Sequence, residues 1–298
     1  MKIKSIEAFL AIVQNGSIRA AARHLNLSQP AVSKAIKALE EEVGAPLLMR
    51  GSKGIELTTF GQAFLIRATI ISQESTKIIE EIQQMRGEIN GSVSMLLSPT
   101  AAMQLAPAAI KQFRQAHPKV KIKIVEGLQA SAVAKLRMSE IDFAITATSK
   151  STSLSNKEFE FHPLREIPMA IIGRKNHPLK DKTSLYDLLE ADWLQITSGD
   201  QHSPLINEFY KSQDIIPPVF SMECHSFTSS LAIIENSDML GMLPEALIDN
   251  SFYSERFDKF TLVEGNAVNK LQLIYRRDIP LTPIAQKLVN YFLRRYAL

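Results

Sequence analysis

The chain opens with three short stretches in which apolar side chains recur every three or four positions, the spacing of one helix face. Asn15-Gly16 ends the first predicted helix, and Asn26-Leu27 makes the turn between the second and the third. Ser17 and Ser28 are suitable N-caps, and Pro30 falls in the first turn of the third helix, where proline is tolerated. The predicted buried faces are Ile6, Phe9, Leu10 and Val13, then Ile18, Ala21, Ala22 and Leu25, then Val32, Ala35, Ile36, Leu39 and Val43.

The opposite face of the third predicted helix is polar and basic. Ser33, Lys34 and Lys37 lie opposite the apolar stripe, and Gln29 lies at the N-terminal end. Gln and Ser can hydrogen-bond base edges, Lys can meet guanine or phosphate, and a helix N-terminus favours phosphate. Two helices joined by a short turn, the second with such a face, predict a helix-turn-helix, with an ordinary solvated surface helix as the alternative.

A β-hairpin is predicted directly after these helices. Residues 46–50 and 55–58 form its strands, and a turn with two glycines joins them. As a wing, this hairpin would bring Arg50 and Lys53 to the DNA backbone or minor groove, although either side chain could instead be a solvated loop charge.

A long helix is predicted next, because residues 58–86 contain no proline and Thr58 or Thr59 can cap their start. Apolar residues recur every seven positions, which predicts a helix that pairs with a second copy of itself; packing within its own chain is the alternative. Gly87 and Gly91 then break the helix and provide a hinge. The two seam rows are Phe64, Ile71, Ile78 and Met85, and Gly61, Ala68, Ser75 and Ile82.

From residue 91 onward, apolar strand patterns alternate with helical ones. This alternation predicts α/β units with mainly parallel sheets, in two sets joined by two crossings. The predicted strands are 93–97, 120–125, 143–147, one beginning near 168–173, 193–196, 219–223, 239–243 and 271–276. The predicted helices are 98–117, 131–138, 184–189, 204–210, 226–235 and 283–296.

Composition and charge fit a two-domain protein that binds nucleic acid at one end. The net charge of the 298 residues is only +3, yet residues 1–58 alone carry an excess of three positive charges. No apolar run approaches the length of a membrane helix, and the N-terminus lacks a signal-peptide pattern, so we expect a cytoplasmic protein without membrane partners. The single cysteine, Cys224, excludes an intrachain disulfide and a cysteine-rich zinc site.

The N-terminal pattern resembles that of the LysR-type transcriptional regulators. The residues that carry the resemblance are Ala21-Ala22, Leu25, Ser28-Gln29-Pro30-Ala31, Ser33, Ile36, Leu39-Glu40, Gly44, Leu47, Arg50, Leu57-Thr58 and Gly61. Leu48 departs from the family pattern, which commonly has Phe there. In the C-terminal part Phe113, His117-Pro118, Ile141-Asp142 and Leu243-Pro244 also match, whereas Ser139 and Ser237-Asp238 stand where the family has glycines.

The resemblance implies an α+β multidomain chain with a winged helix-turn-helix (1–58), a linker helix for dimerisation (59–90) and an effector-binding domain (91–298). That domain would be of the periplasmic-binding-protein type, with subdomain I at about 91–162 and 267–298 and subdomain II at about 163–266. The implied partners are double-stranded promoter DNA, a small-molecule effector, RNA polymerase and further copies of the chain, paired through the linker helix and joined into tetramers. The candidate DNA contacts are Arg19, Ser28, Gln29, Pro30, Ala31, Ser33, Lys34, Lys37, Arg50 and Lys53.

Ligands of open α/β sheets bind beyond the carboxyl ends of the strands, which gives a candidate effector site. Its hydroxyls and backbone N–H groups favour a small polar or anionic organic molecule, although the hydroxyls could equally cap helices. The candidates are Ser98, Thr100, Gly127, Leu128, Gln129, Thr146, Thr148, Thr197, Ser198, Gly199, Gln201, His202, Ser226, Phe227 and Thr228.

Catalytic motifs are absent from the sequence. It contains no serine-hydrolase elbow, P-loop, H-E-x-x-H or strand-associated G-x-G-x-x-G, and its histidines lack metal-ligand spacing. We therefore expect neither an enzyme nor a metal or cofactor, only a non-covalent effector. Two alternatives remain: a solute-binding protein, and a single-thiol redox sensor through Cys224.

Overall fold

The computed structural model describes residues 1–51, 54–88, 91–147, 157–198, 201–202, 205–249 and 251–297. The chain forms two compact units. The first consists of Met1–Glu88 with Arg137–Glu140, and the second of Ile89–Leu136 with Ile141–Leu298.

The first unit begins with the three predicted helices and the predicted hairpin. They are α1 (Ile3–Asn15), α2 (Ile18–His24), α3 (Gln29–Val43), β1 (Leu48–Gly51) and β2 (Gly54–Leu57). Both predicted caps are confirmed, because Ser17 Oγ accepts from Ala20 N at 3.1 Å and Ser28 Oγ accepts from Ala31 N at 3.3 Å. Asn26 adopts a φ of 54°, which makes the short turn between α2 and α3 possible.

The apolar faces of α1, α2 and α3 meet in one small core. Ile6, Phe9, Val32 and Leu39 are buried in it, as predicted. The prediction is wrong for Val43, whose side chain is 41% exposed, because the stripe of α3 runs past the part of the helix that its neighbours cover.

The long helix α4 (Thr59–Met85) starts where the sequence predicts, with Thr58 Oγ1 accepting from Gly61 N at 3.0 Å. Its first turns belong to the core of the first unit, since Gly61 and Ala68 are buried and the Phe64 ring packs edge-on against Phe9 at 5.2 Å. Further along, the seam residues are exposed, namely Ile71, Ile78, Ile82 and Met85. The N-terminal part of the heptad pattern therefore packs within the chain, and its C-terminal part forms an exposed apolar surface.

The second unit contains strands and helices in alternation. Its strands are β3 (Ser92–Leu97), β4 (Lys121–Glu126), β5 (Phe143–Ala147), β6 (Phe159–Arg174), β7 (Trp193–Ser198), β8 (Gln201–His202), β9 (Phe220–Cys224), β10 (Gly241–Pro244), β11 (Phe257–Lys259) and β12 (Ala267–Arg276). Its helices are α5 (Pro99–Gln104), α6 (Ala106–Ala116), α7 (Gln129–Arg137), α8 (Leu205–Ser212), α9 (Phe227–Glu235), α10 (Glu245–Ile248), α11 (Ser251–Ser254), α12 (Pro283–Tyr296) and a 3₁₀ turn at Leu185–Leu188.

Two sheets organise these strands. The larger has the order β10-β6-β12-β5-β3-β4, with β11 also paired to β6, and the smaller has the order β8-β7-β9. A bridge between Trp193 and Leu240 joins the smaller sheet to the chain entering β10. Buried Trp193 also donates from Nε1 to Leu188 O at 2.9 Å and packs edge-on against Tyr210. Burial, and then the nearby Glu264 carboxylate, raise the pKa of Tyr210 well above its ordinary value, so its hydroxyl stays a neutral donor to Leu185 O.

The expectation of mainly parallel sheets is wrong for the larger sheet. Among its described strands only the β3–β4 and β3–β5 pairs are parallel, whereas β12 runs antiparallel to β5 and β6, and β10 and β11 run antiparallel to β6. The prediction started a strand only near residue 168, but β6 is a single strand of sixteen residues that begins at Phe159. Pro163 and Pro168 lie inside this strand, and because proline argues against a strand interior, the sequence hides the long antiparallel pair.

The remaining differences in the second unit concern helix ends and short elements. The helix predicted over 98–117 is two helices, broken at Leu105 just before Pro107. The helix predicted over 184–189 is only a 3₁₀ turn. The short elements α10, α11, β8 and β11 were not predicted, because segments of two to four residues show no periodicity.

Gly61 lies against the backbone of Leu47, and we expect Gly61→Ala to destabilise the first unit by at least about 2 kcal/mol. A Cβ at this position would lie 2.0 Å from the carbonyl oxygen of Leu47, and backbone cannot yield as a flexible side chain can. Thermal unfolding of the full-length protein measures the effect, with the neighbouring exposed Gln62→Ala as control. A Gly61→Ala transition within error of that control would contradict the packing described here.

Candidate functional site

The predicted DNA contacts of α2, α3 and β1 face solvent. Every described member of the set is exposed, namely Arg19, Ser28, Gln29, Pro30, Ala31, Ser33, Lys34, Lys37 and Arg50; Lys53 lies outside the described residues. Lys37 faces Glu41 at 3.8 Å in a solvent-exposed pair, which stabilises little. Within the described part of the chain Lys34 forms no ion pair. The outer face of α3 therefore offers donors and positive charge that are accessible to an incoming anion.

Glu40 ties the hairpin to α3 from the half-buried side of the helix. Its Oε1 accepts from Leu47 N at 2.7 Å and from Leu48 N at 3.1 Å, which fixes the chain entering β1. Thr58 closes the other end, donating from Oγ1 to Pro46 O at 2.6 Å. The sequence resemblance includes Glu40 but gives it no role, because a run of three glutamates gives no sign of which one turns inward.

A cavity lies in the second unit beside β6, β7, β10 and β12. Its empty volume is about 770 Å³, part of it open to solvent. Apolar side chains make up most of the lining, among them Leu128, Met169, Ile196, Phe227, Leu231 and Met242. The polar side chains that line it are Ser98, Thr100, Gln195, Ser230 and Asn269.

Four predicted effector residues line this cavity: Ser98, Thr100, Leu128 and Phe227. Five others do not line it, and their assignment stays a prediction: Gly127, Gln129, Thr146, Ser226 and Thr228. Thr148 and Gly199 lie outside the described residues, and only the backbone is described for Thr197, Ser198, Gln201 and His202, in β7 and β8.

Several hydroxyls at this end of the sheet serve as helix caps. Ser98 Oγ accepts from Ala101 N at 3.4 Å, and Ser226 Oγ accepts from Ser229 N at 3.2 Å. Ser226 also accepts, through its carbonyl oxygen, from the Ser230 hydroxyl and the Cys224 thiol. These contacts account structurally for side chains that the sequence offered as ligand groups.

Sequence reasoning missed three polar residues of the cavity lining, Gln195, Ser230 and Asn269, and Asn269 in β12 has the most unusual environment. Its Nδ2 donates to Thr100 Oγ1 at 3.1 Å, whereas its Oδ1 is buried and has no hydrogen-bond partner among the described residues. The prediction started this strand only at residue 271, so Asn269 fell outside every predicted element. Within the described ranges no group of three or more His, Cys, Asp or Glu side chains could hold a metal ion, and no helix is long and apolar enough to cross a membrane.

The N-terminal and C-terminal parts of the chain each match a model of a known protein family. Residues 3–62 match the family model "Bacterial regulatory helix-turn-helix protein, lysR family", and residues 86–297 match "LysR substrate binding domain". The uncharacterized HTH-type transcriptional regulator YbhD of Escherichia coli is 26% identical over 96% of this chain and 89% of its own length. The regulator TdcA of the same organism is 26% identical over 97% and 91%.

Solved structures share the fold across the full length. CbnR, a LysR family transcriptional regulator, superposes with a TM-score of 0.74 at 19% identity, covering 99% of both chains. Full-length CbnR complexed with its target DNA gives the same TM-score at 20% identity, again with 99% coverage of both.

These matches define a DNA-binding transcriptional regulator that joins a helix-turn-helix domain to an effector-binding domain. The chain belongs to the LysR family. This family consists of transcriptional regulators rather than enzymes, and the match favours neither a solute-binding protein nor a single-thiol sensor.

We expect Glu40→Ala to destabilise the first unit by roughly 1–3 kcal/mol, because two backbone N–H groups lose their acceptor. Glu40→Gln, which keeps an acceptor oxygen, should retain most of the stability. Chemical denaturation measures both variants, with Glu41→Ala on the exposed side of α3 as matched control. Equal stability of the Glu40→Ala and Glu41→Ala variants would mean that the hairpin does not depend on this carboxylate.

Proposed function

We propose that the outer face of α3 lies in the major groove of operator DNA and that the β1–β2 hairpin contacts the adjacent backbone or minor groove through Arg50 and Lys53. The observation that supports it most directly is the exposure of Gln29, Ser33 and Lys34 on one face of a capped helix. These side chains supply the amide, hydroxyl and ammonium groups that read base edges and phosphates. The solved complex of CbnR with its target DNA is consistent with this role.

The cavity in the second unit is proposed to hold a small organic effector without covalent attachment, and no other cofactor is required. It lies beside β6 and β12. These two strands pair with each other and join the part of the larger sheet that contains β5 to the part that contains β10, and we call these parts the two halves of the second unit. A ligand that binds two arrangements of these halves unequally shifts the equilibrium between them. We expect that shift to change the spacing of paired DNA-binding domains, and with it DNA bending and recruitment of RNA polymerase in the cytoplasm.

Two copies of the chain are proposed to pair through the second half of α4 and to join further into tetramers. Ile71, Ile78, Ile82 and Met85 are exposed at seam positions, and apolar side chains at this spacing gain stability when they pack against a second helix. Pairing also matters for recognition, because one α3 contacts only a few base pairs, whereas two contact matched half-sites.

We expect Lys34→Ala to weaken binding to the protein's own promoter region by about tenfold and to lower the salt dependence by about one counterion. Fluorescence anisotropy at several salt concentrations measures both quantities. The control is Lys111→Ala, which removes an exposed charge from α6 in the second unit. Equal promoter affinity in the two variants, with unchanged thermal unfolding, would contradict the placement of α3 in the groove.

We expect Ile78→Asp to prevent self-association through α4, because it places a charge in the middle of the apolar seam. Sedimentation velocity should show a smaller species, and promoter affinity should fall with it. Ile66→Asp is the control, since Ile66 is an exposed isoleucine of α4 that lies outside the seam rows. A wild-type sedimentation profile for Ile78→Asp would exclude this seam as the dimer contact.

A further inference from the structure

The described lining of the cavity in the second unit is mainly apolar. Its described lining contains five polar side chains and no charged one, and the rest is aliphatic or aromatic apart from methionine sulfur and backbone. Burying a carboxylate or ammonium group in such surroundings costs free energy that only a fixed counter-charge or several hydrogen bonds can offset. Apolar surface, in contrast, is favourably transferred here from water.

Some of the backbone donors near the cavity are unavailable to an anion. Pro99, at the start of α5, has no N–H, and the next-but-one amide, of Ala101, already donates to Ser98 Oγ. At the start of α9 the amide of Ser229 donates to Ser226 Oγ. The sequence suggested an anionic ligand because helices begin beside the predicted site. At the N-termini of α5 and α9, however, some backbone N–H groups are missing or already donate to a cap.

The unsatisfied group at the cavity is an acceptor. Asn269 is 7% exposed and lines the cavity, and its Nδ2 is used by Thr100 Oγ1. Its Oδ1 is fully buried without a partner among the described residues, an arrangement that costs free energy until a donor arrives. In this orientation Thr100 Oγ1 takes the amide N–H of Asn269, and Oδ1 is the atom left to accept from a ligand.

We propose that the effector is a mainly apolar molecule that carries a neutral hydroxyl or N–H group and donates from it to Asn269 Oδ1. This inference rests on the proposed function, in which the cavity is the effector site. Asn269 is then the residue that determines specificity, and the class of ligand is a neutral hydrogen-bond donor on an aliphatic or aromatic body rather than a small anion.

Three probes that share one body test this class. They are para-propylphenol, which donates a hydrogen bond, para-propylanisole, in which a methyl group replaces the donor hydrogen, and para-propylbenzoate, which is an anion. We expect isothermal titration with the full-length protein to give a dissociation constant of about 1 mM or lower for the phenol. The ether and the benzoate should bind at least about tenfold more weakly, because each lacks a neutral donor for Asn269.

Substitutions at Asn269 test whether this side chain causes the preference for the phenol over the ether. Asn269→Leu should bring the phenol and the ether to within about twofold of each other, because the acceptor is gone. Asn269→Asp keeps an oxygen acceptor and should retain the preference for the phenol. Asn266→Leu makes the same change at an exposed position three residues away and should leave the wild-type ranking intact.

The proposal is overturned if the benzoate binds as tightly as the phenol, if the phenol shows no saturable binding at about 5 mM, or if Asn269→Leu keeps the phenol's advantage. If Asn269→Leu does not fold, the wild-type ranking decides. Promoter affinity measured on the same samples distinguishes a failure of the proposed ligand class from a failure of the proposed function. Intact DNA binding without phenol binding refutes only the ligand class, whereas loss of promoter binding in the wild-type protein refutes the proposed function.

Discussion

The antiparallel pairing of β6 with β12 is the constraint on which the second unit depends. Residues 159–163 of β6 pair with 272–276 of β12, and residues 166–169 pair with 267–270, with an irregularity between Lys270 and Gln272. Since β12 also pairs with β5 and β6 also pairs with β10, both halves of the sheet are built on these two strands. The cavity lies beside them, with Met169 of β6 and Asn269 of β12 in its lining.

Hydroxyl side chains cap the N-termini of helices in both units. Ser17, Ser28 and Thr58 cap helices of the first unit, and Ser98, Ser226 and Thr282 cap helices of the second. A cap oxygen that accepts a backbone N–H has part of its capacity used, so its presence at the end of a strand is weak evidence for a ligand contact. The oxygen of Asn269 is stronger evidence, because it belongs to a cavity-lining side chain and accepts from no described residue.

The exposed apolar residues of α4 and the exposed polar residues of α3 complement each other. In the proposed complex, the apolar face of α4 excludes water against a second copy, and the basic face of α3 exchanges counterions for fixed ammonium groups. The proposed seam is interrupted by Ser75, and the outer face of α3 presents two lysines, so each contact is expected to be modest by itself. Operator recognition is thus expected to depend on both contacts forming together.

The sequence by itself determined the first unit almost completely, because caps, turns and helical periodicity are local: Ser28, Thr58 and the bounds of α3 and α4 follow from neighbouring residues. It also determined the order of the α/β elements and the bounds of β5 and α12. Only the tertiary structure decided strand direction, the division of the α4 seam into buried and exposed parts, and the meeting of Asn269 with Thr100. The physical reason is that these features depend on contacts between residues far apart in the chain, which no periodicity records, and a side chain's burial and its hydrogen-bond partners are fixed only when those distant segments pack.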